Sequence, residues 1–432
     1  MSLSSRNILL PILFLISSLG VASNVQVGDR SSLADALPSL SEQLLRETSE
    51  IRQLKILRPV PSSVQSRAEI ERMLAHHLDE QDPPQVNRAT NLFLKRLGLA
   101  PLNFDHRSFM LKLLTDQVVG YYDPEQRRFF IADWVDIAGR KPVIVHELTH
   151  SLQDQHFDLR RFERWPKDES DAKLAAQALI EGDATLVMTF YLWRNPGQIF
   201  ALLKTFGNGL GMEAIGSAPR AIAESLKFPY IEGSAWVREL HRRGGWELVS
   251  RAYSDLPRST EQILHPEKYF ARELPVEVKI ADVSPLLGGE WKRIASDVCG
   301  EWGLALILGE FLPEDLTARA AAGWGGDRYA LYEGPNGQTA ILIITVWDAE
   351  SDAREFFDAY SQRVIKRYAD NEEVIERLTA DGAYRLWRTG EGLVWLERRA
   401  TSVIIFEGAP RDLDWRRLPG RRWASFQPPR AN

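Results

Sequence analysis

The stretch Lys141-Pro142-Val143-Ile144-Val145-His146-Glu147-Leu148-Thr149-His150-Ser151-Leu152 decides how this chain is read. Pro142 suits the first turn of a helix, where its missing N–H leaves no bond unmade. Residues four apart on that helix share a face, so His146 and His150 point the same way. Two imidazoles so placed can hold one zinc ion through ring nitrogens. Glu147 directly follows the first histidine and can reach a water on that ion. The metal draws the water's pKa toward neutrality, and the carboxylate takes the proton. A match to this pattern arises by chance in about one chain of this length in a hundred. Val143, Ile144, Val145, Leu148 and Leu152 also make the helix largely buried, where unpaired histidines and a bare glutamate are costly. A surface helix with chance histidines does not fit those neighbours.

A catalytic zinc usually takes a third protein ligand, and two residues compete for that place. His156 lies six positions past His150, the spacing of HExxHxxGxxH, whose glycine stops the helix so that the chain turns back to the metal. Gln153 stands where that glycine belongs. If the helix continues, His156 is rotated about 120° from His150. The other residue is Glu181, in Ala178-Leu179-Ile180-Glu181-Gly182-Asp183-Ala184, within a long helix from Asp171 to Trp193. A glutamate on an apolar helix needs a partner, either a metal, a buried cation or a helix-end contact. Gly182 is expected to let this helix pack closely on the histidine helix. Asp183 is the expected acceptor for a ligand imidazole, since metal-bound histidines usually donate their other nitrogen to a carboxylate. Asp154, four beyond His150, is the alternative.

Together, His146 to His150 and Glu181 to Ala184 resemble the gluzincin metallopeptidases, thermolysin-like and aminopeptidase-like. The resemblance covers roughly Val118 to Thr189 and departs in a long insert between the two helices. It implies one zinc ion on His146, His150 and Glu181, with Glu147 as base. It also implies a peptide or protein substrate lying extended along an edge strand, whose counterpart here is Arg128 to Ile131. Gluzincins commonly add a downstream tyrosine or histidine that hydrogen-bonds the oxyanion, for which Tyr230 and His265 are the candidates. Ser259 to Gln262 has a capping-box arrangement that opens a short helix ended by Pro266. Glu261 and His265 then share a face, so the carboxylate can orient the imidazole. A histidine packed at a helix end and a half-buried tyrosine are the plainer readings.

The implied reaction is hydrolysis of peptide bonds by Glu-assisted attack of zinc-bound water. Two other functions stay open, an inactive zincin-like binding protein and a metal-dependent hydrolase of a non-peptide amide. The intact Glu147 speaks against a pure binder, which has no need of a base beside the metal.

The rest of the chain sets the frame. Its 432 residues suggest two or three domains, and a net charge of −6 gives no support to nucleic-acid or anionic-membrane binding. Residues 1–23 read as a signal peptide: Arg6, an apolar run from Ile8 to Ile16, then Gly20, Ala22 and Ser23. This implies a secreted or periplasmic protein, an uncleaved anchor being the alternative. The run is short of the roughly twenty residues a membrane span needs, and no later segment is long enough. Cys299, the only cysteine, excludes an intramolecular disulfide and reads as a small buried hydrophobe beside Trp302-Gly303-Leu304.

Residues 24–114 read as a helical N-terminal region, with amphipathic stretches at Ser31–Leu57, Arg67–Leu78 and Gln85–Leu97. Whether it is a removable pro-segment is left open. Residues 115–284 form the expected zincin-like catalytic domain. It opens with a hairpin, Val118–Tyr122 and Arg128–Ile131, around Asp123-Pro124-Glu125-Gln126. Later helices are expected at Pro219–Leu226, Gly233–Arg242 and Gly245–Ala252. Residues 285–432 alternate as strands with one or two helices, Ser351–Tyr368 among them, predicting a four- or five-stranded antiparallel sheet. The class is α+β: a mostly helical catalytic domain with a small edge-strand sheet, then a smaller α+β domain whose tryptophans read as core.

Overall fold

Leucines three and four apart build α1 (Arg30–Arg52), which buries Leu37, Leu44 and Leu45. After it come β1 (Ser62–Gln65), α2 (Arg67–Gln81), α3 (Pro84–Arg96) and α4 (His106–Gln117). The hairpin is β2 (Gly120–Asp123) and β3 (Arg128–Ala132), followed by α5 (Lys141–Phe157), α6 (Arg160–Glu163) and α7 (Ser170–Arg194). The predicted later helices run together as α8 (Arg220–Ala252), broken only at Gly244-Gly245, where Gly245 has φ 62°. Short elements α9 (Thr260–Leu264), α10 (Pro266–Ala271), β4 (Glu277–Ile280) and α11 (Ser284–Leu287) lead to the last part. That part holds β5 (Lys292–Asp297), α12 (Gly300–Gly309), α13 (Glu314–Ala321), β6 (Trp324–Glu333), β7 (Thr339–Trp347) and α14 (Glu350–Arg367). It ends with β8 (Glu372–Thr379), β9 (Gly382–Thr389), β10 (Gly392–Arg399), β11 (Ser402–Ala409) and β12 (Ala424–Gln427). The fold is α+β. This computed structural model describes residues 30–81, 83–135, 137, 139–163, 168–199, 218–368, 372–379, 382–414 and 424–427, so the signal-like stretch lies outside it. Among the described residues no helix is long and apolar enough to cross a membrane.

Two expectations about the sheets need correction. Arg128–Ile131 is not an edge strand, because the small sheet has the order β1-β3-β2. The first helix stops at Arg52, short of the expected Leu57, where Gln53 turns left-handed with φ 60°, and the four residues after Pro61 are free to extend. They pair parallel to β3, with Ser62 opposite Phe129. The edges are therefore β1 and β2, and β2 is the one that touches the histidine helix, through Tyr122. The large sheet has seven antiparallel strands in the order β5-β6-β7-β11-β10-β9-β8. Alternation in the sequence marks strands within β6, β7, β9, β10 and β11; the two that it does not mark, β5 and β8, are the edges of the sheet. Their charged runs, Lys292-Arg293 and Glu372-Glu373, suit edges and hide the period-two signal. Inner strands alternate between two buried faces: Ile341 and Ile343 join one core, Leu342 and Ile344 another.

Packing crosses the expected domain limits. One core joins Ile70, Phe93, Leu97 and Met110 of the N-terminal helices to Val298, Leu304, Ile307 and Tyr329 beyond residue 285. A different core holds α1 against β3, α5, α7 and α8 through Leu44, Ile131, Leu148, Ile180 and Trp236. The N-terminal region is thus shared between two cores rather than forming a preface of its own.

Gly182 does not face the histidine helix, as expected, but α8. A Cβ there would lie 2.3 Å from the Gly233 backbone, and one on Gly233 would lie 2.3 Å from the Ala178 carbonyl oxygen. Backbone meets backbone at this crossing, so no flexible side chain can yield. Gly233→Ala is therefore expected to force α7 and α8 apart, lowering stability by about 1–3 kcal/mol and disturbing Glu181 with it. Chemical denaturation measures this, with Gly197→Ala as control, since nothing lies within 4 Å of that Cβ. Equal losses at the two positions would contradict the close crossing.

Candidate metal centre

The start of α7 is pinned from two sides. Asp297 accepts from the Ser170 amide at 2.9 Å and its hydroxyl at 2.5 Å, while Asp171 accepts from Thr260 Oγ1 at 2.6 Å. Three turns further on, Glu181 meets the histidines of α5. Glu181 Oε2 lies 3.1 Å from His146 Nε2 and 3.5 Å from His150 Nε2, and the two imidazole nitrogens are 3.1 Å apart. Zinc bonds of about 2.0–2.2 Å in tetrahedral directions require donor atoms about 3.3–3.5 Å apart. The triangle matches that size within a few tenths of an ångström. His146, Glu147, His150 and Glu181 are all at most 1% exposed. Glu181 Oε1 and His146 Nδ1 are buried with no hydrogen-bond partner among the described residues, a burden that a bound cation relieves at the carboxylate. The donor set fits zinc.

Sequence reasoning missed Gln153, which it treated only as a missing glycine. Its Nε2 donates to the Ile180 carbonyl at 3.0 Å and to Asp183 Oδ2 at 3.2 Å, which turns its Oε1 toward His150 Nδ1 at 2.8 Å. His150 Nδ1 is then the donor, leaving the Nε2 lone pair for the cluster. The available signal was an amide three residues past a ligand on a buried helix. Asp183 touches no histidine directly and acts one link further back, held by Arg52 Nε at 2.6 Å and Tyr253 Oη at 2.9 Å. Asp154 orients no histidine either. It accepts from Tyr122 Oη at 2.9 Å, from Arg58 and from the Leu159 amide.

His156 is turned away. The helix runs on to Phe157, and His156 Nε2 sits 2.8 Å from the Lys55 carbonyl oxygen on an exposed face. Without a glycine to stop α5, the rotation separates it from the cluster. Glu147 Oε2 accepts the Tyr122 amide at 3.2 Å, so β2 helps fix the carboxylate. Tyr230 on α8 lies beside His146, with ring centroids 6.1 Å apart and planes tilted by 31°. His265 pairs with Glu301 of α12 at 2.9 Å rather than with Glu261, and that bond raises its pKa. Glu261 is taken by Lys268 at 2.6 Å, and burial pushes its carboxyl up to about 8. Lys268 also fills the space between Glu261, Glu273 and Asp348, the other carboxylate grouping with metal-like spacing. Cys299 is buried, and burial with Asp327 nearby holds its thiol well above the usual range.

Burial disfavours charge on both cluster imidazoles and lowers the pKa of His146. At His150 the Glu181 and Glu147 carboxylates outweigh burial and hold the pKa at about 9. Burial would raise Glu181, but the imidazoles bring it to about 2. A histidine raised in this way stabilises the metal-free fold fully below its unfolded value of about 6.5. That contribution is lost as pH rises through about 9. A zinc ion bound at this cluster would have to displace the His150 proton, so its affinity would climb about tenfold per pH unit up to that value. Calorimetry in buffers of different ionisation enthalpy should report about one proton released per zinc at pH 7.5. No proton release would contradict this arrangement.

Residues 287–417, from the end of α11 through β11, match a family described as a domain of unknown function (DUF8575). That match lies outside the stretch that carries the histidine cluster. No curated protein and no solved structure matches the chain.

Proposed function

We propose that the chain is a zinc-dependent metallopeptidase of gluzincin type, with His146, His150 and Glu181 as ligands and Glu147 as general base. The observation that carries this reading is the triangle of donor atoms, 3.1, 3.1 and 3.5 Å on its sides, with the motif glutamate next to it. A zinc ion held there supplies Lewis acidity, lowering the pKa of water and polarising a carbonyl oxygen. Glu147 receives the proton and is kept in position by the Tyr122 amide. Gln153 fixes the tautomer of His150. Tyr230, packed beside His146, is the better placed residue to donate to the carbonyl oxygen as charge develops there. The signal-like N-terminus supports export, and a peptide or protein is the substrate.

A second reading has its own support. Catalytic zinc sites keep an open position, whereas structural ones are closed. All four cluster residues are at most 1% exposed, which favours a structural or binding role. Metal analysis of the full-length protein, with cleavage of mixed peptide and non-peptide amide libraries before and after chelation, decides among them. One zinc and chelator-sensitive peptide cleavage support the peptidase; one zinc with no cleavage supports the closed binder.

A further inference from the structure

Arg52 closes α1, the helix that sequence pattern assigned to an N-terminal region outside the catalytic part. Its guanidinium is nonetheless wholly buried, and so is its partner Asp183. Arg52 Nε donates to Asp183 Oδ1 at 2.6 Å, Nη1 donates to Ser250 Oγ at 3.1 Å, and the cation lies 4.6 Å from the centre of the Trp246 ring. The other carboxylate oxygen of Asp183 accepts from Gln153 Nε2 and from Tyr253 Oη. Gln153 in turn presents its oxygen to His150 Nδ1 at 2.8 Å. A continuous chain of hydrogen bonds thus joins α1 to a cluster imidazole through Arg52, Asp183 and Gln153, all wholly buried, with the half-buried Ser250 of α8 attached at Arg52.

The physical sense lies in the amide. Gln153 can rotate by half a turn and present an N–H instead of an oxygen to His150. That flip would put two donors face to face, or force the other tautomer, with the proton on Nε2 and its lone pair lost to the cluster. The Ile180 carbonyl and the Asp183 carboxylate both demand N–H, which disfavours the flip. Asp183 can do this only while its carboxylate is held in place, and a buried carboxylate is costly without a paired cation. Arg52 is that cation, and its contact with Ser250 and the Trp246 ring sets the direction of the carboxylate.

We propose that Arg52 is a positioning residue of the metal centre, acting through Asp183 and Gln153 on His150, and that α1 is therefore part of the site rather than a removable segment. The proposal rests on the zinc reading above. It goes beyond that reading by assigning a residue 131 positions before Asp183 to the same centre.

The test uses the full-length protein and measures zinc affinity by chelator competition, with the visible spectrum of the cobalt-substituted protein. Losing a residue that supports a ligand from behind typically weakens metal binding about 10–100-fold. Arg52→Met is expected to do so and to shift the cobalt spectrum, while Gln153→Met alone gives a similar loss. In the Gln153→Met background, Arg52→Met should have little further effect on affinity, because the link to His150 is already cut. A purely structural arginine would lower the melting temperature in both backgrounds and leave the affinity of the folded protein unchanged, which overturns the proposal. If Arg52→Met does not fold, Asp183→Asn asks the same question one link inward, since the amide satisfies Gln153 less well without changing volume. Weakened zinc binding by the folded variant, whatever its melting temperature, supports the chain of bonds, and unchanged binding overturns it. A parent protein that takes up no zinc overturns the metal reading itself; a parent that binds one zinc, matched by Arg52→Met, overturns the positioning role alone.

Discussion

On the proposed peptidase reading, Glu147→Gln is expected to abolish almost all peptide cleavage and to leave zinc binding intact. Glu147 is not one of the three converging donors, and glutamine has nearly the same volume and can still accept the Tyr122 amide through its oxygen. What it loses is the ability to take a proton. General-base catalysis contributes about 10²–10⁴-fold, and the rate should fall by at least that range. The melting temperature should stay close to that of the parent, since helix, metal and amide contact all remain. Rate measurements on a peptide substrate, with zinc content determined on the same samples, check both halves. A variant as active as its parent would falsify the role given to Glu147.

Glu181→Gln should weaken zinc binding by roughly 10²–10³-fold, whereas His156→Gln should leave both stoichiometry and affinity unchanged. Structural zinc sites bind with about 10–16 kcal/mol shared among their ligands, so one ligand accounts for a few kcal/mol. Glu181 is the only anion of the donor triangle, and its amide would be a neutral, weaker donor. His156 points to the Lys55 carbonyl on the exposed side of α5. Chelator competition on the two variants gives the answer directly. The reverse outcome would mean that α5 stops early and that His156 returns to the metal, contrary to a helix that extends to Phe157.

What was legible in the sequence was what lies close along the chain. His146, Glu147 and His150 stand within five residues of one another, so helix geometry alone puts them on adjoining positions. The hairpin of β2 and β3 was announced by its turn residues, and the inner strands of the large sheet by their apolar runs. Rotation along a helix likewise counted against His156, on the condition that the helix continue past Gln153. The sequence alone also marked Glu181 as a residue in need of a partner, because a carboxylate on an apolar helix is costly without one.

Tertiary structure decided everything that depends on which distant segments meet. Pairing of β1 with β3 moved the presumed edge strand to the centre of its sheet, since a parallel partner carries no local signature. Gly182 turned out to serve the crossing with α8, because only the packed helices reveal which backbone lies within 2.3 Å of the missing Cβ. The support of His150 passed from Asp183, the expected carboxylate, to Gln153, because the amide reaches the imidazole from the same helix while Asp183 sits one bond further away. Arg52 could not be foreseen at all: a charged residue at the end of an N-terminal helix reads as solvated, and only the fold buries it against the carboxylate that holds Gln153 in place.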